Sequence, residues 1–372
     1  MRLATQGVGG ATDVVEGIHV AVLRTLGLAS GTRSAGITGL VYRSIHGVTR
    51  VLGGGADLLL RQLEPALRSI DDDAGSPRRT LFLAALNGVM GDRLAADDNP
   101  LALDMSLRLD GRRLDPSSLP PAPGAKLLLM VHGLCMSDLH WSSSGEGVDH
   151  GAVLATQRGY RPLHLRYNSG LPIAANGRQL AEQLERLFAF WPQPIEELSV
   201  IGHSMGGLVM RSACHHAERA GHAWRRRLRT IVFLGTPHQG SPLERAGHGL
   251  HTLLEATPYT APLARIGALR SAGINDLRHG HVFDAADEPS VALPEGVSCH
   301  AVAATTAARR SLLAERLIGD GLVPLRSALG QHSDPARRVH FAPQSQWIAY
   351  RTGHIELLRH PRVTEQLLRW LR

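Results

Sequence analysis

Residues 200–209 read VIGHSMGGLV. An apolar run, 198–201, leads straight into this stretch, and a helical pattern over 208–220 leaves it. Strand, sharp turn, helix is the order that the G-x-S-x-G element, here Gly202-His203-Ser204-Met205-Gly206, needs if its serine is a nucleophile. The pentapeptide alone decides little. With 40 glycines and 24 serines in 372 residues, about 0.3 matches are expected by chance. The surroundings carry the reading. A serine on a strained turn has its hydroxyl clear of the backbone. A side chain on either flanking glycine would meet the neighbouring strand or helix. The helix start offers free N–H groups to a developing oxyanion. The competing reading is a glycine-rich turn whose serine only caps the helix.

Working outward, apolar runs alternate with helical segments. Residues 127–131, 163–167, 198–201, 231–234 and 297–304 read as strands, and 347–350 as a last apolar piece before a final helix over 363–371. Asn176, with Gln179 three residues on, reads as a helix cap ahead of Leu180, Leu184, Leu187 and Phe188. Leu101, Leu103, Met105, Leu107 and Leu109 alternate with mostly polar residues, a half-buried strand that ends at the Asp110-Gly111 turn signal. The Pro-rich stretch 116–123 is a connector. Strands alternating with helices predict a mostly parallel sheet covered on both faces.

A serine hydroxyl needs a base, and the base needs an orienting acid; in this class the chain order is Ser, acid, His. His354 follows the last apolar strand and precedes the final helix, where the base belongs. His360, next to Pro361, reads instead as a helix boundary. Asp320, in IGDGLVPLRSA, lies beyond the penultimate strand. Asp276, Asp284 and Asp287 fall too early, and Asp334 too late. The oxyanion would be held by backbone N–H groups of Met205 and of Leu134, the latter in the loop His132-Gly133-Leu134 after strand 127–131. His132 precedes the serine and reads as a residue that holds this loop. Cys135 stands nearby, but the serine elbow is complete without a thiol.

Composition is that of a globular chain, 43% hydrophobic and 20% charged. The formal net charge of +7 comes almost wholly from arginine; Lys126 is the one lysine. Arg225-Arg226-Arg227 and Arg229 sit at a strand entrance, and aromatics make up 4%, so no nucleic-acid partner is expected. Cys135, Cys214 and Cys299 are widely spaced, with neither a disulfide framework nor a zinc knuckle. The pairs His215-His216 and His279/His281 lack metal-site spacing, and no cofactor or catalytic metal is expected. The first residues, MRLATQGVGGATDVVEG, hold no apolar signal region, so a cytoplasmic location is the expectation.

Residues 1–79 read as a separate helical arm. Ile37, Leu40, Val41, Ile45, Val48 and Leu52 share one helix face. That face packs on the main domain or, in the alternative, lies in a membrane interface with arginines at its edge. The stretch Asp71 to Arg79 reads as a linker.

Several segments together resemble bacterial esterases and lipases of the α/β-hydrolase superfamily. They are HGLCMSD (132–138), YNSGLPIAANG (167–177), GHSMGGLVMRSA (202–213), LGTPHQGSPLE (234–244), GDGLVP (319–324) and GHIELL (353–358). The wider similarity is to lipases with the HGL loop and to the α/β domain of GPI inositol-deacylases. The resemblance covers about residues 80–372. It implies an α/β-hydrolase fold, carboxylic-ester hydrolysis on a small-molecule ester or lipid, and the same five residues: Ser204, Asp320, His354, Leu134 and Met205. In similar lipases the element matching Thr236 to Ser241 leads into a lid. Here 242–296, with Leu250, Leu253, Leu254, Leu263 and Leu269, would form a cap over the acyl site. Two other functions use the same features: an acyltransferase with the same triad, and a catalytically silent hydrolase fold that only binds.

Overall fold

The computed structural model describes residues 77–115, 119, 124–142, 147–241, 271–283, 292–308 and 319–372. The helix face from Ile37 to Leu52 and the leucines of the expected cap lie outside the described residues. Pro77 to Arg79, expected to end a linker, form the first turn of a helix, α1 (Pro77–Ala96).

Eight strands form one sheet: β1 (Ser106–Leu109), β2 (Arg112–Arg113), β3 (Lys126–Val131), β4 (Arg161–Arg166), β5 (Glu197–His203), β6 (Leu228–Leu234), β7 (Ser298–Thr305) and β8 (Gln346–Tyr350). Their order is β2-β1-β4-β3-β5-β6-β7-β8. All pairs from β4 to β8 are parallel, while β1 runs antiparallel to both β2 and β4.

The central strands are apolar because both of their faces are covered. Leu127, Leu129 and Val131 of β3 point into one core, with residues of α1, α3 (Ile173–Phe190), α4 (Met205–Ala220) and α5 (Ala272–His279). Leu128 and Met130 point into the other, with Leu154 of α2 (His150–Arg158) and Val363, Leu367 of α7 (Pro361–Trp370). Each fully buried leucine on this sheet stabilises the fold by about 1.5–3 kcal/mol. A short helix, α6 (Leu325–Ala328), lies between β7 and β8. An eight-stranded, mostly parallel sheet with an antiparallel leading edge and helices on both faces is the α/β-hydrolase fold.

Two elements differ from the sequence expectation, each for a local reason. The strand expected from Leu101 begins only at Ser106. The Asn87 amide on α1 donates to the carbonyl of Leu101 (2.8 Å) and accepts from the N–H of Leu103 (2.9 Å). Those backbone groups are therefore taken before a ladder can form, although Leu101 and Met105 are buried as the alternation predicted. Asn176 does not cap its helix, which starts three residues earlier at Ile173. Its side chain is buried and donates to the carbonyls of Asn168 (3.0 Å) and Leu171 (3.3 Å), holding the turn before α3. His360 does stand at the start of α7, its ring accepting from the Arg362 N–H at 3.2 Å.

The chain order of the sheet places a crevice. From β3 it steps to β4 on one side, then returns across β3 to β5 on the other. In open α/β sheets ligands bind beyond the C-terminal ends of the strands at such a reversal. The loop after β3 and the turn after β5 face each other there.

Candidate active site

Ser204 joins β5 to α4 with φ 53° and ψ −125°, a left-handed conformation rarely adopted by a residue with a side chain. Such a conformation costs about 1–3 kcal/mol and persists where the surroundings impose it. Here they do. The Ser204 N–H donates to the Leu234 carbonyl of β6 at 2.8 Å. A Cβ on Gly206 would lie 2.4 Å from the Val131 carbonyl oxygen, and one on Gly202 would lie 2.7 Å from Gly207 Cα. Both flanking positions are thus closed to side chains by backbone. Ser204 occupies the N-cap position, yet its side chain makes no capping hydrogen bond. The hydroxyl is left for other chemistry, which removes the capping-serine reading.

Gly206→Ala is expected to destabilise the protein by about 1–3 kcal/mol, because the added methyl can be relieved only by moving β3 backbone. The same movement displaces the loop after β3, so turnover should fall with the unfolding temperature. A thermal melt that coincides with the wild type's would show that the elbow does not need this glycine.

That loop is built to be stiff. His132 is fully buried, and its Nδ1–H donates to the Gly133 carbonyl at 2.9 Å. Its ring stacks on Tyr167 at 4.4 Å, and the Tyr167 hydroxyl donates to the His132 carbonyl at 2.9 Å. Cys135 follows in the left-handed region at φ 58°, its N–H donating to Ser169 Oγ at 3.0 Å. A Cβ on Gly133 would lie 3.0 Å from Ser204 Cβ, so the loop backbone touches the elbow. Among the described residues no acceptor takes the Leu134 N–H. The Met205 N–H, first in α4, is one of those a helix leaves without an internal partner. Burial pushes the Cys135 thiol up to about 12, so it is not a thiolate near neutrality.

Burial also pushes His132 and His140 down to about 4 from 6.5. Above pH 6.5 both rings are neutral whether the chain is folded or not. As pH falls from there toward 4, the unfolded chain takes up protons that the buried rings refuse, so stability falls. Between pH 7 and about pH 5 the loss due to His132 alone is on the order of 2 kcal/mol. Urea unfolding at those two pH values checks this; equal midpoints would contradict it.

Asp320 and His354 come together from the ends of two other strands. Asp320 lies beyond β7 and His354 just beyond β8. Both are 4% exposed. Asp320 Oδ2 accepts from His354 Nδ1–H at 2.6 Å, and the Asp320 carbonyl accepts from the His354 N–H at 3.0 Å. The other carboxylate oxygen accepts from the N–H groups of Leu322 (3.0 Å) and Val323 (2.7 Å). Because a carboxylate only accepts, the His354 proton sits on Nδ1 and leaves a lone pair on Nε2. The rival acids have other work. Asp276 accepts from the Ile173 N–H at 2.9 Å, and Asp334 caps a short turn through the Ala336 N–H. Asp284 and Asp287 lie outside the described residues.

His354 contacts His203, the residue before Ser204. The His203 and His354 rings lie 4.6 Å apart, and His203 Nε2–H donates to the His354 carbonyl at 3.0 Å. No hydrogen bond joins the Ser204 hydroxyl to His354 in this structure.

Sequence reasoning missed three contributors. His203 was passed over although it lies inside the motif, because all of β5 beyond its first residue is buried and alternation gives it no direction. Ser169, which holds Cys135, carries no signal of its own beyond its place in YNSGLPIAANG. Ser241 donates to the Leu322 carbonyl at 2.6 Å, clasping the acid's turn to the loop after β6. Among the described residues no group of three or more His, Cys, Asp or Glu is placed to hold a metal ion, and no helix is long and apolar enough to cross a membrane.

A family model described as a domain of unknown function, DUF7379, matches residues 109–270. No protein of curated function matches the sequence. Among solved structures, the chain is similar to the mature form of the Bacillus licheniformis lipase BlEst2, at 17% identity, covering 72% of this chain and 98% of that one, with a TM-score of 0.46. It is similar to the metagenomic carboxyl esterase MGS0156 at 18% identity, covering 83% and 98%, with a TM-score of 0.40. It is also similar to the Pyrococcus furiosus esterase Pf2001 at 16% identity, covering 67% and 82%, with a TM-score of 0.38.

Proposed function

We propose that the protein is a serine hydrolase that cleaves carboxylic esters through an acyl-enzyme on Ser204. One observation carries this reading. A buried Asp320–His354 pair, with the histidine lone pair on Nε2, stands beside an elbow whose serine hydroxyl caps nothing.

The roles follow from the atoms. Ser204 Oγ attacks the acyl carbon as its proton passes to His354 Nε2, and the Asp320 carboxylate stabilises the imidazolium. The carbonyl oxygen gains the negative charge, and the Leu134 and Met205 N–H groups hold it. The carbon–oxygen bond to the alcohol breaks, and His354 returns the proton to the departing alkoxide. A water molecule then loses a proton to His354 and attacks the acyl-enzyme. The acid leaves and Ser204 regains its proton.

The resemblance of HGLCMSD and GHSMGGLVMRSA to segments of bacterial esterases and lipases supports an ester or lipid substrate. In this reading the cap falls within residues 242–270, because Ala272–His279 pack into the core under the sheet, and the residues before Pro77 are an arm that packs on the domain or rests on a membrane. Fluorophosphonate labelling tests the proposal. Wild type is expected to label, and a folded wild type that stays unlabelled refutes it. Turnover with an added acceptor alcohol separates the products: free acid identifies a hydrolase, a new ester an acyltransferase.

A further inference from the structure

We propose that His203 is a positioning residue for the base: its imidazole is a strut that ties the His354 loop to the nucleophile's own strand. This rests on the hydrolase reading above.

The geometry is specific. His203 is the last residue of β5, so its backbone is fixed by pairing with Leu234 of β6, and the next residue is Ser204. Its side chain is fully buried and reaches His354. There Nε2–H donates to the carbonyl of His354 itself at 3.0 Å, while the two rings lie tilted at 4.6 Å. Trp141 stands edge-on to the His203 ring at 6.4 Å and limits where that imidazole can go.

His354 is therefore held from two directions. Asp320 accepts from its Nδ1–H and from its backbone N–H, which sets the ring's tautomer and its orientation toward the acid. Neither contact refers to the serine. The His203 bond does: one side chain spans from the residue next to Ser204 to the backbone of the base. The loop is also tied to the end of β7, the Thr352 N–H donating to the Thr305 carbonyl at 3.0 Å and the Arg351 N–H to the Ala307 carbonyl at 3.1 Å, but none of these bonds reaches the strand that carries Ser204. A base displaced by about 1 Å from its nucleophile loses on the order of 100-fold in rate.

The strut must also be electrically silent. His354 becomes cationic when it takes the serine proton, and a second cation beside it would oppose that step. Burial pushes His203 well below its ordinary value, and so it faces His354 as a neutral ring. With Nε2 carrying the proton, its Nδ1 has no partner among the described residues. That orphaned buried acceptor is the cost of directing the one proton to the His354 carbonyl.

Two amide substitutions separate this role from simple packing. In His203→Gln the side-chain N–H reaches about as far as His203 Nε2. In His203→Asn it stops short. Both are to be compared with wild type for kcat and KM on a p-nitrophenyl ester, for the rate of fluorophosphonate labelling, and for thermal unfolding. The expected result is a kcat about 10- to 100-fold lower in His203→Asn with KM within about twofold, labelling slowed in parallel, and recovery to within about threefold of wild type in His203→Gln. His203→Asn as fast as wild type would overturn the proposal. So would a folded His203→Gln as slow as His203→Asn. If one variant does not fold, His203→Phe keeps the ring without the donor and is expected to be as slow as His203→Asn. Should wild type itself resist labelling, the hydrolase reading falls, and the strut with it.

Discussion

Ser204→Ala should abolish ester turnover and fluorophosphonate labelling while leaving the fold intact. The rate loss is expected to be about 10⁴-fold or more, the scale seen when a nucleophile that works with a base is removed. The structural side of the prediction is as specific as the kinetic one. Alanine at φ 53° bears the same backbone strain as serine, because both carry a Cβ. The hydroxyl makes no capping bond to α4, so its removal leaves no helix N–H newly unsatisfied. The Ser204 N–H keeps its bond to Leu234. The variant's unfolding temperature should therefore match that of wild type. A labelled Ser204→Ala protein would mean that another serine reacts. An unlabelled but grossly unstable one would mean that the hydroxyl serves the fold.

Asp320→Asn is expected to lower kcat by about 10⁴-fold with little change in KM. The reason lies in how the turn receives the side chain. Two backbone N–H groups, of Leu322 and Val323, point at one oxygen of Asp320. An asparagine in this position must aim its carbonyl oxygen at those donors, since its NH₂ would face them donor to donor. The NH₂ then points at His354 Nδ1, which can only accept. The His354 proton moves to Nε2, and the base has no lone pair left for the serine. Size is conserved and the turn's bonds are kept, so thermal stability should change far less than rate. Wild-type turnover in a folded Asp320→Asn would show that Asp320 does not set the tautomer.

How much of this was legible differs from residue to residue. Residues 127–131 and 231–234 read as strands from their apolar runs because a strand buried on both faces needs no partner information to look apolar. The Ser204 turn read correctly as a sharp strand–helix junction because glycines bracket it where backbone leaves no room. Leu101 to Met105 misled because alternation records which side chains are buried, and says nothing of where the backbone hydrogen bonds go. Asn87, 14 residues upstream of Leu101, takes them. Asn176 misled for a related reason: the N-cap pattern of asparagine and glutamine matched by type, while the helix had already begun inside a turn that the buried amide stabilises.

Sequence by itself determined the local elements and a short set of candidate groups to weigh: alternating apolar runs for a covered parallel sheet, a serine between glycines and, after the last strands, the candidates Asp320, Asp334, His354 and His360. These are short-range properties, set by side-chain chemistry and period. The tertiary structure alone decided the sheet order, which puts the ends of β3 and β5 face to face, and the pairing of Asp320 with His354 across 34 residues. It also decided that His203 leans on His354, 151 residues away. Such contacts depend on which strand ends the packing brings side by side, and no spacing along the chain encodes that.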